Sequence, residues 1–182
     1  MAESNQTKRI LAEAMKQLMA QEPFAKISVG DICQVCQMNR KSFYYHFRDK
    51  YDLVNWIFQT EFLTALQQES FESSWPIIEA LCWYFYQNRA FYRNALSVQG
   101  QNSFQDYFRD ILAPVFRGYA NDLFGDEDKD TDFFINFFSD ALIAALLRWL
   151  SDRDAMPPER FTELLRRSVQ GCAHFLQQMD GQ

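Results

Sequence analysis

Residues 28–50 read SVGDICQVCQMNRKSFYYHFRDK, and this stretch has the pattern of two short helices joined by a tight turn. Ser28 and Asp31 have the spacing of a capping box, which predicts the start of the first helix. Asn39 is a preferred N-cap residue, and it predicts a second helix that ends near His46. The segment therefore has the length and the helix-capping residues of a helix-turn-helix.

The second helix carries long cationic and hydrogen-bonding side chains, which a protein needs to read bases in the major groove of DNA. The net charge of the chain is −6, which at first argues against a DNA-binding protein. However, residues 1–60 hold eight Lys or Arg against six Asp or Glu, whereas residues 61–182 hold ten against eighteen. Affinity for phosphate depends on the local potential, so the acidic remainder does not exclude DNA. The candidate side chains are Arg40, Lys41, Tyr44, Tyr45 and His46, with Lys50 just after the helix.

The rest of the chain has helical periodicity throughout. Its 182 residues are 48% hydrophobic and 16% aromatic, with only six Gly and five Pro, so the chain can bury a substantial core. Helices before and after residues 28–47 would complete a three-helix core, the first of them over 7–21. We expect an all-α protein of about nine helices, with a DNA-binding domain over 1–50 and a larger helical effector-binding and dimerisation domain over 51–182.

Residues 7–54 resemble the amino-terminal domain of the TetR family of bacterial transcriptional regulators. The signature of that family's recognition helix is a small residue or Asn, a basic residue, a small residue, an aromatic run ending in Phe, and then a Lys. The matching residues here are Asn39, Arg40, Ser42, Tyr44, Tyr45, His46, Phe47 and Lys50. The resemblance implies a homodimer that binds double-stranded operator DNA, with Phe43 and Phe47 in the core. It places Arg40, Lys41, Tyr45 and His46 nearest the bases, and Ser28, Ser42, Tyr44 and Lys50 nearest phosphates.

Two positions depart from the usual pattern of the family. Gln37 stands in the turn where relatives often have Gly, so we expect a left-handed conformation there at a cost of about 1 kcal/mol. Lys41 also stands where Gly is common, and it adds a cation that faces DNA. The operator preference therefore cannot be taken over from relatives.

The carboxy-terminal part suggests a small-molecule effector. Residues 91–108, FYRNALSVQGQNSFQDYF, resemble the ligand domain of regulators from Gram-positive bacteria, including proteins similar to dihydroxyacetone-kinase operon regulators. Ligand sites are mostly apolar with few polar groups, and Asn94, Gln101 and Asn102 could supply such groups. The candidate pocket residues are Trp83, Tyr84, Phe91, Tyr92, Phe104, Tyr107, Phe108 and Phe116. Taken singly, each of them is more often ordinary core, and only as a group do they suggest a pocket.

The run over 133–150 is apolar nearly all round, so it needs a partner for more than one face. Together with a last helix over 157–179 it would form half of a four-helix bundle across a two-fold axis. The alternative is a central core helix in a monomer. The expected interface residues are Phe138, Leu142, Leu146, Trp149, Leu165, Cys172 and Phe175.

Other chemistry finds little support in the sequence. The pair Cys33 and Cys36 lacks the further ligands that zinc needs, so we expect core thiols, and no metal or cofactor. No catalytic constellation is evident, so we expect no enzyme activity; an all-α enzyme is a weak alternative. The amino terminus has no signal-peptide core and the run over 133–150 holds four polar residues, which favours the cytoplasm and no membrane contact. A co-activator of the same fold that acts through a partner protein also stays open.

Overall fold

The structure is a computed structural model that describes residues 2–66, 74–124 and 131–180, and side chains at 4–66, 75–118 and 131–172. The described residues are helical and contain no strand, which confirms the predicted all-α class. The helices are α1 (Ala2–Met19), α2 (Val29–Val35), α3 (Arg40–His46), α4 (Lys50–Phe58), α5 (Ser74–Gln87), α6 (Arg89–Leu96), α7 (Phe104–Phe124), α8 (Thr131–Ser151) and α9 (Pro158–Asp180). A 3-10 turn (Phe24–Lys26) precedes α2, and a π-helical turn (Gln59–Leu63) continues α4. Helix α1 begins earlier than predicted, because polar residues extend a helix without leaving an apolar periodicity.

The starts of α2 and α3 follow the predicted caps, and α4 has a cap of the same kind. Ser28 and Asp31 form the capping box of α2, in which each side chain accepts a hydrogen bond from the other residue's backbone N–H. The side chain of Asn39 accepts a hydrogen bond from the N–H of Ser42 at the start of α3. Asp49 accepts hydrogen bonds from two amides in the first turn of α4. These short-range bonds satisfy donors that helix ends leave unpaired, which fixes where each helix begins.

The turn between α2 and α3 is a Schellman motif. Gln37 has a φ of 54°, which confirms the predicted left-handed conformation. Its N–H donates to the carbonyl of Gln34 at 3.3 Å, and the N–H of Met38 donates to the carbonyl of Cys33 at 2.9 Å. These are the two hydrogen bonds that define the motif. The left-handed residue ends α2 and turns the chain into α3.

The chain divides into two compact units. The first unit is Met1–Glu69 with Asn88–Tyr107, and its core includes Leu11, Phe43 and Leu53, none of which is accessible to solvent. This unit extends past residue 50 and includes α6. The predicted functional division at residue 50 stays a prediction.

The second unit is Ser70–Gln87 with Phe108–Gln182. In its core, Trp149 stacks on Phe161 with a centroid distance of 4.2 Å, and its indole N–H donates to the carbonyl of Met156. Burial raises the pKa of Cys82 to about 11, although a hydrogen bond with Thr162 acts in the opposite direction. Helix α8 is long and apolar enough to cross a membrane, and 33% of its most apolar window is buried in the structure. The structure thus uses one side of α8 as core.

Candidate nucleic-acid interface

Helix α3 has a buried side and an exposed side. Phe43 is inaccessible to solvent and Phe47 is 3% exposed, which confirms the prediction that both lie in the core. Tyr45 is 82% exposed and Tyr44 is 56% exposed, which is unusual for side chains of this size. The helix therefore anchors itself through phenylalanines and presents tyrosines to solvent.

A shallow concavity of about 370 Å³ lies along one side of α3. Lys41 and Tyr45 are one helical turn apart and both line it, as do Ser42 and His46. The rings of Tyr45 and His46 meet edge to face at a centroid distance of 4.9 Å. Its remaining lining residues are Thr7, Met38 and Asn39. The structure thus brings together five of the nine predicted DNA-binding residues.

Arg40 lies on a different side of the same helix. Its guanidinium packs over Gly30, because a Cβ added at Gly30 would stand 2.7 Å from Nη2 of Arg40. The positive charge of this guanidinium also affects the pKa of Asp31. Hydrogen bonds from Ser28 hold the pKa of Asp31 below its usual value, and the charge of Arg40 adds to that effect. A larger residue at position 30 would require the end of the Arg40 side chain to shift.

Ser28 and Ser42, two of the residues predicted to contact phosphate, make hydrogen bonds within the helix caps. The hydroxyl of Ser28 lies 2.6 Å from Oδ2 of Asp31, and the hydroxyl of Ser42 donates to the side chain of Asn39 at 3.2 Å. Ser28 is exposed and Ser42 is half-buried. Both hydroxyls therefore stabilise helix starts in this structure, and their contact with DNA stays a prediction.

Lys50 is directed into the protein. Its ammonium donates hydrogen bonds to the carbonyls of Phe24 at 2.7 Å, Ala25 at 3.3 Å and Ile27 at 2.7 Å. It also lies 4.5 Å from the centroid of the Phe24 ring. Burial lowers the pKa of Lys50 from its usual value. An ammonium has three donors, and all three are occupied here, so a phosphate would have to replace one of these carbonyls.

The predicted effector residues are divided between the two units. Phe91, Tyr92, Phe104 and Tyr107 belong to the first unit, where the rings of Tyr92 and Phe104 pack around Phe58 as core. The other predicted residues belong to the second unit: Trp83, Tyr84, Phe108 and Phe116. Of the eight, only Phe116 lines an apolar groove in the described part of that second unit.

This groove has a volume of about 320 Å³ and lies among α5, α7, α8 and α9. Trp75, Ile78 and Phe116 line it from α5 and α7. The other lining residues come from α8 and α9: Phe137, Phe138, Ala141, Leu142, Ala145, Leu165, Ser168, Val169 and Cys172. Four predicted dimer residues, Phe138, Leu142, Leu165 and Cys172, are therefore groove residues. In contrast, Leu146 and Trp149 are buried within the chain, and the side chain of Phe175 lies outside the described residues.

Two residues at this interface were missed by the sequence reasoning. Thr7 lines the concavity from α1, although nothing in the local pattern of α1 marks it. Gly30 could have been noticed as a glycine inside a helix, a position that usually has a packing reason. Among the described residues, no group of three or more His, Cys, Asp or Glu side chains is placed to hold a metal.

Comparisons with known proteins agree with this geometry. Residues 10–57 match the profile described as bacterial regulatory proteins, tetR family, and residues 72–171 match a profile described as transcriptional regulator C-terminal region. The chain is 27% identical over 151 residues to the HTH-type dhaKLM operon transcriptional activator DhaS of Lactococcus lactis subsp. lactis (strain IL1403), with 78% of each chain covered.

Solved structures show the same fold. A TetR transcriptional regulator from Streptococcus agalactiae 2603V matches with a TM-score of 0.69 and 21% identity, over 90% of this chain and 93% of that one. The dihydroxyacetone kinase operon activator DhaS matches with a TM-score of 0.61 and 20% identity, over 93% and 97% of the two chains. The two profiles together cover residues 10–57 and 72–171 of the chain. The chain therefore belongs to the TetR family and is a transcriptional regulator with a helix-turn-helix DNA-binding domain and a carboxy-terminal regulatory region.

Proposed function

We propose that this regulator binds double-stranded operator DNA through the exposed side of α3, as a homodimer whose activity responds to an apolar small molecule. The observation that carries the proposal is the concavity beside α3, where Lys41, Ser42, Tyr45 and His46 meet. A lysine and several hydrogen-bonding groups around one concave surface suit a phosphate and the adjoining base edges. Two recognition helices would enter half-sites about 34–36 Å apart, or a multiple of that distance.

The DNA-binding role is tested by selecting bound sequences from a random pool of duplexes. We expect a palindromic consensus, and failure to enrich any sequence would contradict the proposal. Lys41→Ala should weaken binding and lower the slope of log affinity against log salt by about 1 for each protomer if Lys41 contacts a phosphate. Arg153→Ala, which removes an exposed arginine from the second unit, is the matched control and should leave both quantities unchanged.

Arg40 has a separate test because it stands apart from the concavity. Arg40→Ala should relax the preference at one base pair of the selected consensus, since a bidentate arginine discriminates a base by about 1–3 kcal/mol. Uniform weakening on all sequences, with an unchanged consensus, would remove Arg40 from the base contacts.

The dimer proposal is supported by the outer side of α8. Phe133 is 74% exposed and Phe137 is 58% exposed, and their rings stack with a centroid distance of 6.3 Å. Ala141 and Ala144 follow on the same exposed side, where small residues would let a second helix approach closely. A second copy of the chain would cover these aromatic rings and the groove residues of α8 and α9.

Sedimentation equilibrium tests the dimer. Phe137→Asp should shift the unaltered chain's dimer toward monomer, because a carboxylate would have to be buried against the partner. The matched control is Trp83→Asp, which puts the same charge on an aromatic residue that is 38% exposed on α5. Equal dissociation of both variants, or a monomeric unaltered chain, would contradict the proposed interface.

The effector would bind in the same groove, in contact with the wall formed by Trp75, Ile78 and Phe116. A volume of about 320 Å³ suits a small apolar molecule. The probe for a test is the fluorescent dye 1-anilinonaphthalene-8-sulfonate. Ala145→Phe should fill the groove and reduce dye binding, whereas Ala90→Phe, at an exposed position of α6, should not. Equal dye binding by both variants would place the dye elsewhere.

The proposed direction of transcriptional control rests on the name of a relative. The relative from Lactococcus lactis is named a transcriptional activator, which favours activation over repression here. A reporter gene placed behind the selected DNA should therefore gain transcription when the regulator is present, and a loss would reverse the assignment. A requirement for a second protein in that assay would favour the co-activator alternative.

A DNA-binding role also favours a location in the cytoplasm, and cell fractionation would check it.

A further inference from the structure

The connection between α1 and α2 has three backbone groups that make no hydrogen bond to described backbone groups. The carbonyl of Met19, at the end of α1, would normally accept a hydrogen bond from the N–H of residue 23. Residue 23 is Pro, which has no N–H. The carbonyl of Glu22 and the N–H of Phe24 flank this proline, and Phe24 opens the 3-10 turn, where an amide lacks an intrahelical acceptor.

One side chain, that of Asn94, bonds to all three groups. Its Nδ2 donates to the carbonyl of Met19 at 3.2 Å and to the carbonyl of Glu22 at 2.8 Å. Its Oδ1 accepts from the N–H of Phe24 at 2.7 Å. A side-chain amide has two donors and one acceptor oxygen, so this asparagine matches the three groups in number and in kind. Its bonding to these backbone groups differs from the effector-pocket role expected from the sequence.

Asn94 belongs to α6, whose other neighbours hold it firmly in the first unit. Phe91, Tyr92 and Leu96 are buried on the same helix. Tyr92 packs against Phe58 of α4 at a centroid distance of 6.0 Å, and the side chain of Gln105 donates to the carbonyl of Leu96 at the end of α6. Helix α6 lies within the carboxy-terminal profile, and only Asn88 separates it from α5 along the chain.

Phe24 is held from the opposite side by Lys50. Its N–H donates to Asn94, and its carbonyl accepts from the ammonium of Lys50 at 2.7 Å. Its ring meets the ring of Tyr51 edge to face at 5.0 Å. The same ammonium bonds to the carbonyl of Ile27, directly before Ser28, the N-cap of α2. A continuous series of hydrogen bonds thus joins Asn94 on α6 to the start of the helix-turn-helix.

We propose that Asn94 is a positioning residue for the helix-turn-helix. It fastens the connection between α1 and α2 to α6 and thereby sets DNA affinity without touching DNA. A displacement of α6 would move Phe24 and, through Lys50, the first residues of α2. This inference rests on the proposed DNA-binding role of α3.

The test uses the full chain and duplex DNA selected by the unaltered protein. Asn94→Asp keeps the acceptor for Phe24, but it places an oxygen against two carbonyls, and Asn94→Ala removes all three bonds. We expect each variant to bind DNA about ten-fold more weakly. A ten-fold change in affinity corresponds to about 1.4 kcal/mol, which is the scale of one or two lost hydrogen bonds. The salt slope should stay unchanged, because no phosphate contact is lost. Gln99→Glu, the same amide-to-acid change at an exposed position of this unit, should bind as the unaltered chain does.

A role confined to stability would lower the unfolding temperature and leave the affinity of the folded fraction unchanged. That result, or a salt slope that falls by about 1 per protomer, would overturn the proposal. Amide hydrogen exchange on the unaltered chain gives a second measurement that does not depend on folding of a variant. The amide of Phe24 should exchange slowly, as the amides of α6 do, and fast exchange would also overturn the proposal. If the unaltered chain selects no DNA sequence, the proposed function fails, while the exchange of Phe24 still tests the hydrogen bond.

Discussion

Gln37 offers a direct measurement of the strain at the centre of the helix-turn-helix. Its φ of 54° lies in the left-handed region, where an L-residue other than Gly pays about 1–2 kcal/mol. Gln37→Gly would remove that strain. The substitution also gives the unfolded chain more freedom, which opposes the gain by about 0.5–1 kcal/mol. We therefore expect a net increase of about 0.5–1 kcal/mol in the free energy of unfolding.

For a chain of this length, such a gain corresponds to a rise of roughly 1–4 °C in the midpoint of thermal unfolding. Circular dichroism at equal protein concentrations would measure it, because dimerisation makes the midpoint depend on concentration. The matched control is Gln34→Gly, three residues earlier and exposed on α2. There the backbone is right-handed helix, so the same substitution should cost about 1 kcal/mol.

The two variants should therefore move the midpoint in opposite directions. If Gln37→Gly lowered the midpoint as Gln34→Gly does, the left-handed residue would not be strained, and the argument from backbone sterics would be refuted. An opposite pair of shifts would show that this turn tolerates glutamine at a measurable cost.

Three further substitutions test separate features. Lys50→Met should lower the free energy of unfolding by about 2 kcal/mol, since three charged hydrogen bonds to carbonyls are lost, and urea denaturation would measure it. An unchanged stability, together with a smaller slope of log DNA affinity against log salt, would instead support a phosphate contact for Lys50. Ser139→Ala should raise the free energy of unfolding by about 1 kcal/mol, because the buried Ser139 hydroxyl has no hydrogen-bond partner among the residues that the structure describes. A loss of stability would contradict that absence. Because the folded pKa of Asp31 is lowered, its contribution is present above the unfolded value of 3.8 and is lost as the pH falls through the folded value. The stability difference between the unaltered chain and Asp31→Asn should shrink on acidification, and a constant difference from pH 7 to pH 2 would rule out this linkage.

Much of the helix-turn-helix is local, and the sequence was sufficient to predict it. The caps at Ser28, Asn39 and Asp49 and the left-handed Gln37 depend on hydrogen bonds that span no more than five residues. The burial of Phe43 was implied by the resemblance to the family. The recognition signature lies between Asn39 and Lys50, so the family could be predicted from a segment of about fifty residues.

The candidate site beyond α3 could not be predicted in the same way. Aromatic residues over 91–108 suit a ligand pocket and a core equally well, because both are apolar, and only the packing around Phe58 shows which of them form core. The division of the predicted pocket residues between two units is likewise invisible in their composition. Leu146 and Trp149 satisfy the pattern of an interface helix, but α8 directs them into its own unit.

The sequence alone determined the two helices of the helix-turn-helix, their capped starts and the chemical character of the recognition helix, because those depend on neighbours within one or two turns. The tertiary structure decided what Arg40, Lys50 and Asn94 contact. Lys50 reaches carbonyls 23 to 26 residues away, and Asn94 reaches groups 70 to 75 residues away. Such partners depend on which backbone groups remain unpaired once the helices have packed, and Pro23 leaves the carbonyl of Met19 for Asn94. A long side chain that resembles a DNA ligand in the sequence can therefore support the fold instead.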